Sequence, residues 1–473
     1  MTPPTIDRTH RPRYHFLPPE HWMNDPNGLI YWRGRYHMFY QFNPNGAFWG
    51  TMHWGHAVSS DLVHWEHLPI ALAPTAGTVD AAGCFSGCAV DNDGTVMLIY
   101  SGYTAATFEA VCLATAQDAA LITWQKYPGN PIITAPPPDH DYIQFRDHTI
   151  WREADGWYQA IGAGIRDVGG AVLLYRSQDL IAWEYLHPLA IGDLHQHAPV
   201  WTATMWECPL FLDLGTQHAL LISAWHSGQT LHTVAMVGAY ADHRFTPEQT
   251  YKFDYGDNYF YAPQSCVDGQ GRIVLWGWLQ EGRDAEAGKD AGWSGVMSLP
   301  RIIAARADGL LNVAPAPELM ALRGAQRALD AQPVAGEIVL DISGDCLELD
   351  VTIDPGNAAR CGLMLRRAPD GSEATRIVYD HARGWIAIDS TQSSHDQRAT
   401  RDVRGGPLTL HDDEPLRLRV FVDHSVIEVF ANERACLTGR VYPTRDDSIG
   451  VGIFAHGSAQ LLALDAWPMR SIW

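Results

Sequence analysis

Residues 34–42 read GRYHMFYQF, a glycine followed by a short apolar strand, and the phrase returns as GTVMLIYSG at 94–102, GWYQAIGAG at 156–164, GTQHALLISAW at 215–225 and GRIVLWGW at 271–278. The five glycines, Gly34, Gly94, Gly156, Gly215 and Gly271, are spaced by 60, 62, 59 and 56 residues. A steady period of this length with no helical pattern between copies predicts four-stranded blades set radially about a channel. The expected fold is therefore all-β, beginning with a five-bladed β-propeller. In that architecture equivalent positions of successive repeats form a ring, so residues distant in sequence meet.

Three acids occupy one register of the repeat. Asp25 and Asp147 each stand nine residues before their glycine, and Glu207 stands eight before Gly215. If that register lies on the strand nearest the axis, the three carboxylates converge at one mouth of the channel. Like charges raise one another's pKa, and an acid kept protonated beside one kept ionised is what acid-assisted bond cleavage requires. A second series, SSDLVHWEHL at 59–68, AQDAALITWQKY at 116–127 and SQDLIAWEYL at 177–186, sets Asp61, Asp118 and Asp179 before a tryptophan. Turn aspartates closing an outer loop of each blade explain it, so it speaks for architecture and not for chemistry.

Working outward, 473 residues exceed one ordinary core and predict two domains. The formal charge of −21 disfavours nucleic acid or an anionic membrane as partner, since either needs a basic face. The N-terminal MTPPTIDRTHRPRYHFLPPEHW has no apolar core of a signal peptide, and no apolar run is long enough to span a bilayer. A cytoplasmic protein is expected. Eight scattered cysteines fit free thiols in a reducing compartment, a bridge between Cys84 and Cys88 being conceivable. Eighteen Trp and eighteen Tyr supply flat surfaces able to stack on sugar rings, although all-β cores use many aromatics too.

The propeller is expected over residues 1–315. A Gly-rich charged loop, QEGRDAEAGKDAGWSG, interrupts its last blade. Residues 316–335 read as a linker with a short helical pattern in ELMALRGAQRAL. From 336 to 473, eight alternating apolar segments, from EIVLDIS to AQLLALDAW, predict a β-sandwich.

Each acid has a local reading as well. In WMNDPNG, Pro26, Asn27 and Gly28 favour a tight turn after Asp25, which alone would suit a solvated hairpin Asp; the shared register argues against that. Arg146 beside Asp147 resembles a surface ion pair of little worth, and again the register argues otherwise. Glu207 lies in TMWECPLF, whose apolar letters predict a desolvated carboxyl with a raised pKa, able to donate a proton at neutral pH. The 22 histidines show no HExxH spacing and Cys208 has no CxxC partner, so no metal and no cofactor are expected.

The segments WMNDPNG at 22–28, FRD at 145–147 and WECP at 206–209 resemble glycoside hydrolase family 32, the β-fructofuranosidases that include invertases, levanases and inulinases. YQFNP at 40–44, FWGTMHWGHA at 48–57, CFSGCAV at 84–90, YFYAPQS at 259–265, GWSGVMSLPR at 292–301 and FVDHSVIEVFAN at 421–432 resemble family segments in the same order. The resemblance implies a five-bladed propeller followed by a β-sandwich. It also implies Asp25 as nucleophile, Glu207 as acid/base and Asp147 as transition-state stabiliser, ionised beside Arg146. Asn24, Gln41, Trp49, Ser86 and Arg146 match positions that shape a fructose pocket, and Trp293 is expected at its rim; Asp257 is not carried over. One departure is His148, where the family usually has proline; it either contacts a sugar at the mouth or packs internally.

The expected activity is retaining hydrolysis of terminal β-fructofuranosyl units from sucrose or short fructo-oligosaccharides through a covalent fructosyl-enzyme. Alternatives are fructosyl transfer to a sugar acceptor, a non-catalytic sugar-binding propeller, and an arabinoside-cleaving relative of the same architecture. The expected partner is a small sugar, with the chain a monomer or homodimer.

Overall fold

The computed structural model describes residues 6–105, 108–411 and 413–473, and among them five blades form a closed β-propeller followed by a β-sandwich. Blade I contains His21–Trp32, Arg35–Asn43, His53–Ser59 and Trp65–Leu72. Blade II contains Gly83–Asn92, Thr95–Tyr103, Ala110–Ala116 and Trp124–Lys126, and blade III Tyr142–Glu153, Gly156–Ile165, Gly169–Ser177 and Trp183–Ile191. Blade IV contains Met205–Asp213, His218–His226, Gln229–Ala241 and Arg244–Lys252, and blade V Tyr261–Val267, Ile273–Leu279, Arg301–Ala305 and Leu311–Pro315. The first strand of every blade is innermost, and these five strands neighbour one another round the axis.

Both sequence series have a structural cause. Gly34, Gly94, Gly156, Gly215 and Gly271 lie between the first and second strands of their blades, each at a positive φ. At Arg33–Gly34 and Asp93–Gly94 both turn residues are left-handed, the pairing whose twist matches a tight hairpin. The aspartates of the second series close the turn into the outermost strand. Asp61 accepts from the N–H groups of Val63 and His64, Asp118 from those of Ala120, Ile122 and Thr123, and Asp179 from those of Ile181 and Ala182. The matching Trp65, Trp124 and Trp183 each donate Nε1–H to the carbonyl of a left-handed leucine three residues back.

Apolar residues fill the gaps between blades. Phe39, Trp54, Leu98 and Tyr100 lie between I and II, Ile99, Phe145, Ile161 and Leu173 between II and III, and Tyr158, Leu174, Trp206 and Ile222 between III and IV. The ring is closed by a short parallel pairing, His21 with Trp293 and Trp22 with Ser294, which ties the excursion of blade V to the innermost strand of blade I. That excursion also holds a helix the sequence reading missed, Ala285–Ala291, capped by the Asp284 side chain on the Ala287 N–H at 2.8 Å and ended by Gly292 at φ 75°.

After blade V the anticipated helical stretch is only a 3₁₀ segment, Pro317–Leu322, and Arg327–Leu329 is already a strand of the next sheet. The second domain packs its strands face to face around Leu349, Val351, Leu363, Ile377, Val420 and Ile453. The last two predicted strands are one, Gly450–Pro468. Its first half pairs with Arg360–Arg367 and its second half with Cys346–Asp354, so one strand belongs to both layers. FVDHSVIEVFAN forms the hairpin Leu416–Asp423 and Val426–Ala431, while Val403–Pro407 and Ala435–Arg440 are further strands that were not anticipated.

The two domains meet through buried charge. Arg301 of blade V, fully buried, donates to Asp254 at 2.8 Å and to Glu428 of the sandwich at 2.6 Å, with its guanidinium over the Phe260 ring at 4.1 Å. Glu428 also accepts from the Leu299 N–H at 2.7 Å. Arg440 of the sandwich donates to the carbonyls of Leu279 and Gln280 on blade V. All eight cysteines are buried free thiols, and among the described residues no helix is long and apolar enough to cross a membrane.

Candidate active site

Every innermost strand carries a break in pairing register at the same height. The breaks fall between Met23 and Pro26, at Ser86, at Asp147, between Glu207 and Leu210, and between Tyr261 and Gln264. Asp147, Cys208 and Ala262 have left-handed φ values of 62°, 46° and 51° at these breaks. A β-bulge re-aims the side chains next to it. Five bulges at one level turn a ring of strands into a ring of side chains aimed at one pit.

The pit, a cavity of about 580 Å³, lies within the range of small-molecule sites. Asp25, Asp147 and Glu207 all line it, together with Asn24, Gln41, Trp49, Ser86 and Arg146. Trp49 stands at the edge, 55% exposed. Trp293 does not belong to this group. It is 1% exposed at the ring-closing pairing, its indole covered by Arg283 at 4.7 Å and donating to the Asp7 carbonyl at 2.9 Å, so the expectation of a rim position is corrected. Its backbone closes the ring while its side chain packs into the apolar core instead of lining the pit.

Asp25 Oδ2 accepts from Ser86 Oγ at 2.6 Å and lies 3.5 Å from Cys208 Sγ. The same thiol lies 3.5 Å from Asp147 Oδ2, which also accepts from the Cys208 N–H at 3.1 Å. Burial pushes Asp25 up to about 6, the Ser86 hydroxyl opposing it and the Glu207 charge adding to it. Asp147 is likewise pushed up by burial, with Arg146 working against the shift and the charges of Glu207 and Asp25 with it.

Arg146 favours the ionised Asp147 through its charge alone, because its hydrogen bonds go elsewhere. Its guanidinium crosses to blade IV and donates through Nη2 to Glu207 Oε1 at 2.6 Å and through Nε at 3.2 Å, while Nη1 donates to Gln144. The environment of Glu207 also differs from the apolar flank read from TMWECPLF. Side chains alternate along the strand, so Trp206 points into the core between blades III and IV, and Glu207 meets Arg146 and the Tyr261 hydroxyl, which donates to Oε2 at 2.6 Å.

His148 is packed, not at the mouth. It is 1% exposed, Nε2 lies 3.0 Å from Ser101 Oγ, and burial pulls its pKa down to about 3. Ser101 joins blades II and III: its Oγ donates to the Ser86 carbonyl at 3.1 Å and accepts from the Asp147 N–H at 3.0 Å. With that hydroxyl proton used, His148 Nε2 must be the donor.

Sequence reading missed Tyr261, Glu109, Trp225, Thr230 and Gln280, all of which line the pit. Tyr261 sits in the quoted YFYAPQS and at the bulge register of blade V, a signal that was available; Trp225 and Thr230 come from a second and a third strand, and Glu109 and Gln280 from just beyond strand ends, where no register marked them. Two groups have the composition of a cation site, Asp345 with Cys346 and His424, and Glu153 with Asp155 and His243, and neither borders the pit.

Comparison with known proteins gives a consistent answer. Residues 15–315 match the family model described as glycosyl hydrolases family 32 N-terminal domain, and residues 318–468 match the family 32 C terminal model. The chain is 34% identical to a sucrose-6-phosphate hydrolase of Zymomonas mobilis over 97% of this chain and 92% of that protein. It is also 34% identical to a raffinose invertase of Escherichia coli over 97% and 95%. Among solved structures, fructan 1-exohydrolase IIa from Cichorium intybus superimposes with a TM-score of 0.88 at 27% identity, covering 99% of this chain and 98% of that one.

Proposed function

The chain belongs to glycoside hydrolase family 32 and is a fructosyl-releasing hydrolase, and from that premise we propose that it cleaves terminal β-D-fructofuranosyl units from sucrose or short fructo-oligosaccharides by a two-step retaining mechanism. Asp25, ionised, attacks the anomeric C2 of the fructosyl unit while Glu207 gives a proton to the departing oxygen. The resulting ester removes one negative charge from beside Glu207, which then takes a proton from water as that water attacks C2 from the face vacated by the leaving group. Two inversions return the original configuration.

The contacts support these roles. Ser86 holds the Asp25 carboxylate through Oδ2 at 2.6 Å, with the Cys208 thiol at 3.5 Å from the same oxygen. Arg146 and Tyr261 fix Glu207 on both oxygens, so its position is set before substrate arrives. Asp147 takes no hydrogen bond from Arg146 but keeps the pull of its charge, and is left to face the sugar ring and the oxocarbenium-like charge that develops there. Asn24 and Gln41 offer amides to fructose hydroxyls, and Trp49 a flat apolar face.

The observation that carries this reading is the common pit reached by Asp25 from blade I and Glu207 from blade IV, both at bulges of one ring. It is tested by incubating purified protein with sucrose and with kestose, following the first-formed fructose anomer by NMR, beside Asp25→Ala and Glu207→Ala. Release of β-fructofuranose that is lost in both variants is expected. An α-anomer as first product, or undiminished turnover by Asp25→Ala, would overturn it, and fructosylated sugars as the main product would mark transfer instead.

A further inference from the structure

The acid that protonates a glycosidic oxygen stands between two sugar units, so the groups around Glu207 on the side away from Asp25 and Ser86 meet the leaving sugar. Those groups are Arg146, Gln144, Glu109, Trp225, Thr230 and Gln280. Among the described residues lining the pit, Arg146 is the one Lys or Arg, and its charge is committed. All three guanidinium nitrogens are engaged, two on Glu207 and one on Gln144, and the Trp225 ring covers it at 5.7 Å.

Glu109 lies just past it. Its Oε1 is 3.9 Å from Arg146 Nη1, beyond hydrogen-bond reach, and the residue is only 9% exposed. Among the described residues no side chain donates a hydrogen bond to it and only its own backbone N–H does, so a mostly buried carboxylate lines the cavity with acceptor capacity to spare. Opposite in character is Gln280, also 9% exposed. Its Oε1 accepts from Thr230 Oγ1 at 2.9 Å and Asn258 Nδ2 at 3.4 Å, which leaves Nε2 buried without a partner. One unused acceptor and one unused donor are what a pair of sugar hydroxyls satisfies. The groove that continues from the pit past Gly228 and Thr230 brings no free cation either, because its Arg404 is held by Asp402 at 2.8 Å.

We infer that the leaving-group side of the pit is built for an uncharged sugar, and that Glu109 is the specificity residue that reads one of its hydroxyls and turns a phosphorylated sugar away. The inference rests on the assignment of Glu207 as proton donor. A phosphate dianion on the leaving glucose would enter a space lined by four acidic side chains, Asp25, Asp147, Glu109 and the proton-carrying Glu207, against one guanidinium already paired. Like-charge juxtaposition is a strong discriminator.

The test compares kcat/KM of the full chain for sucrose and for sucrose phosphorylated at the glucosyl O6. Sucrose is expected to be preferred by at least about thirtyfold at low salt. Raising ionic strength from about 0.01 M to about 0.5 M should narrow the ratio by screening the repulsion. Glu109→Gln should narrow it about fivefold or more, by lowering the rate on sucrose and raising that on the phosphorylated sugar. Equal or better use of the phosphorylated sugar by the wild type would overturn the inference, as would a ratio indifferent to salt. A ratio unchanged in a folded Glu109→Gln would remove Glu109 from the role. Because the salt series uses the wild type, the inference stays falsifiable even if the variant does not fold. Fructose released from neither sugar would instead defeat the proposed function itself.

Discussion

At the scale of single residues the pit holds its acids against their preference. Asp25 sits at about 6 in the folded chain against 3.8 for an ordinary aspartate, because burial and the Glu207 charge outweigh the Ser86 hydrogen bond. Attack requires the ionised form, so kcat/KM should fall tenfold per pH unit below about 6, which a pH–rate profile on sucrose at low concentration would show. The same shift has a sign in stability. An acid whose folded pKa is raised binds its proton more tightly in the folded state than in the unfolded chain, so folding loses free energy as pH climbs from about 4 to about 6. Asp147 is pushed the same way. Asp147→Asn should therefore abolish most turnover, by about 10³-fold or more, while stabilising the fold by about 1 kcal/mol; calorimetry at pH 7 beside activity measurements checks both halves. The three acids were legible because a repeat places equal registers on equal strands. Glu109 and Gln280 were not, since nothing along the chain marks which residues at the ends of strands lean over a cavity. Trp293 was misplaced because a motif fixes a segment and not the direction of its side chain.

At the scale of strands, the bulge is the device that makes the site. Blade count followed from the glycine period, because each glycine supplies a left-handed turn at a fixed point in the blade. The bulges were not legible: an inserted residue leaves no compositional trace when Ser86, Asp147 and Cys208 are all ordinary strand neighbours. Nor could alternation find the short strands Val403–Pro407 and Ala435–Arg440, the first too rich in glycine and the second too uniformly buried. Ser101 braces two bulges by its hydroxyl, touching the Ser86 carbonyl, the Asp147 N–H and His148. Ser101→Ala would leave three buried polar groups unpaired and should cost about 2–3 kcal/mol in urea unfolding. It should also lower kcat more than it changes KM, since the Asp147 backbone loses its anchor while the sugar-binding amides keep theirs.

At the scale of the whole molecule, the sandwich is a structural partner of the chemistry. Arg301 is fully buried between Asp254 and Glu428, and Arg440 holds the backbone of Leu279 and Gln280 in the wall of the pit. Arg301→Met strips buried Asp254 of its counter-charge and leaves Glu428 with His15 alone, and should destabilise the chain by about 3–5 kcal/mol, read as a lower urea midpoint by circular dichroism. The two-domain layout was legible from hydrophobic alternation, but the polar character of the junction was not, because a lone arginine in GWSGVMSLPR says nothing about which acids lie across from it. The parallel seam of His21–Trp22 with Trp293–Ser294 carries a consequence for biosynthesis. Asp25 leaves the ribosome early and Glu207 midway, yet the strand bearing Asp25 has no lateral seam partner until residues 293 and 294 have emerged. A nascent chain arrested before that point owns every proposed catalytic side chain and should still be inert toward sucrose, so the onset of fructose release in a series of stalled chains would report the moment the circle shuts.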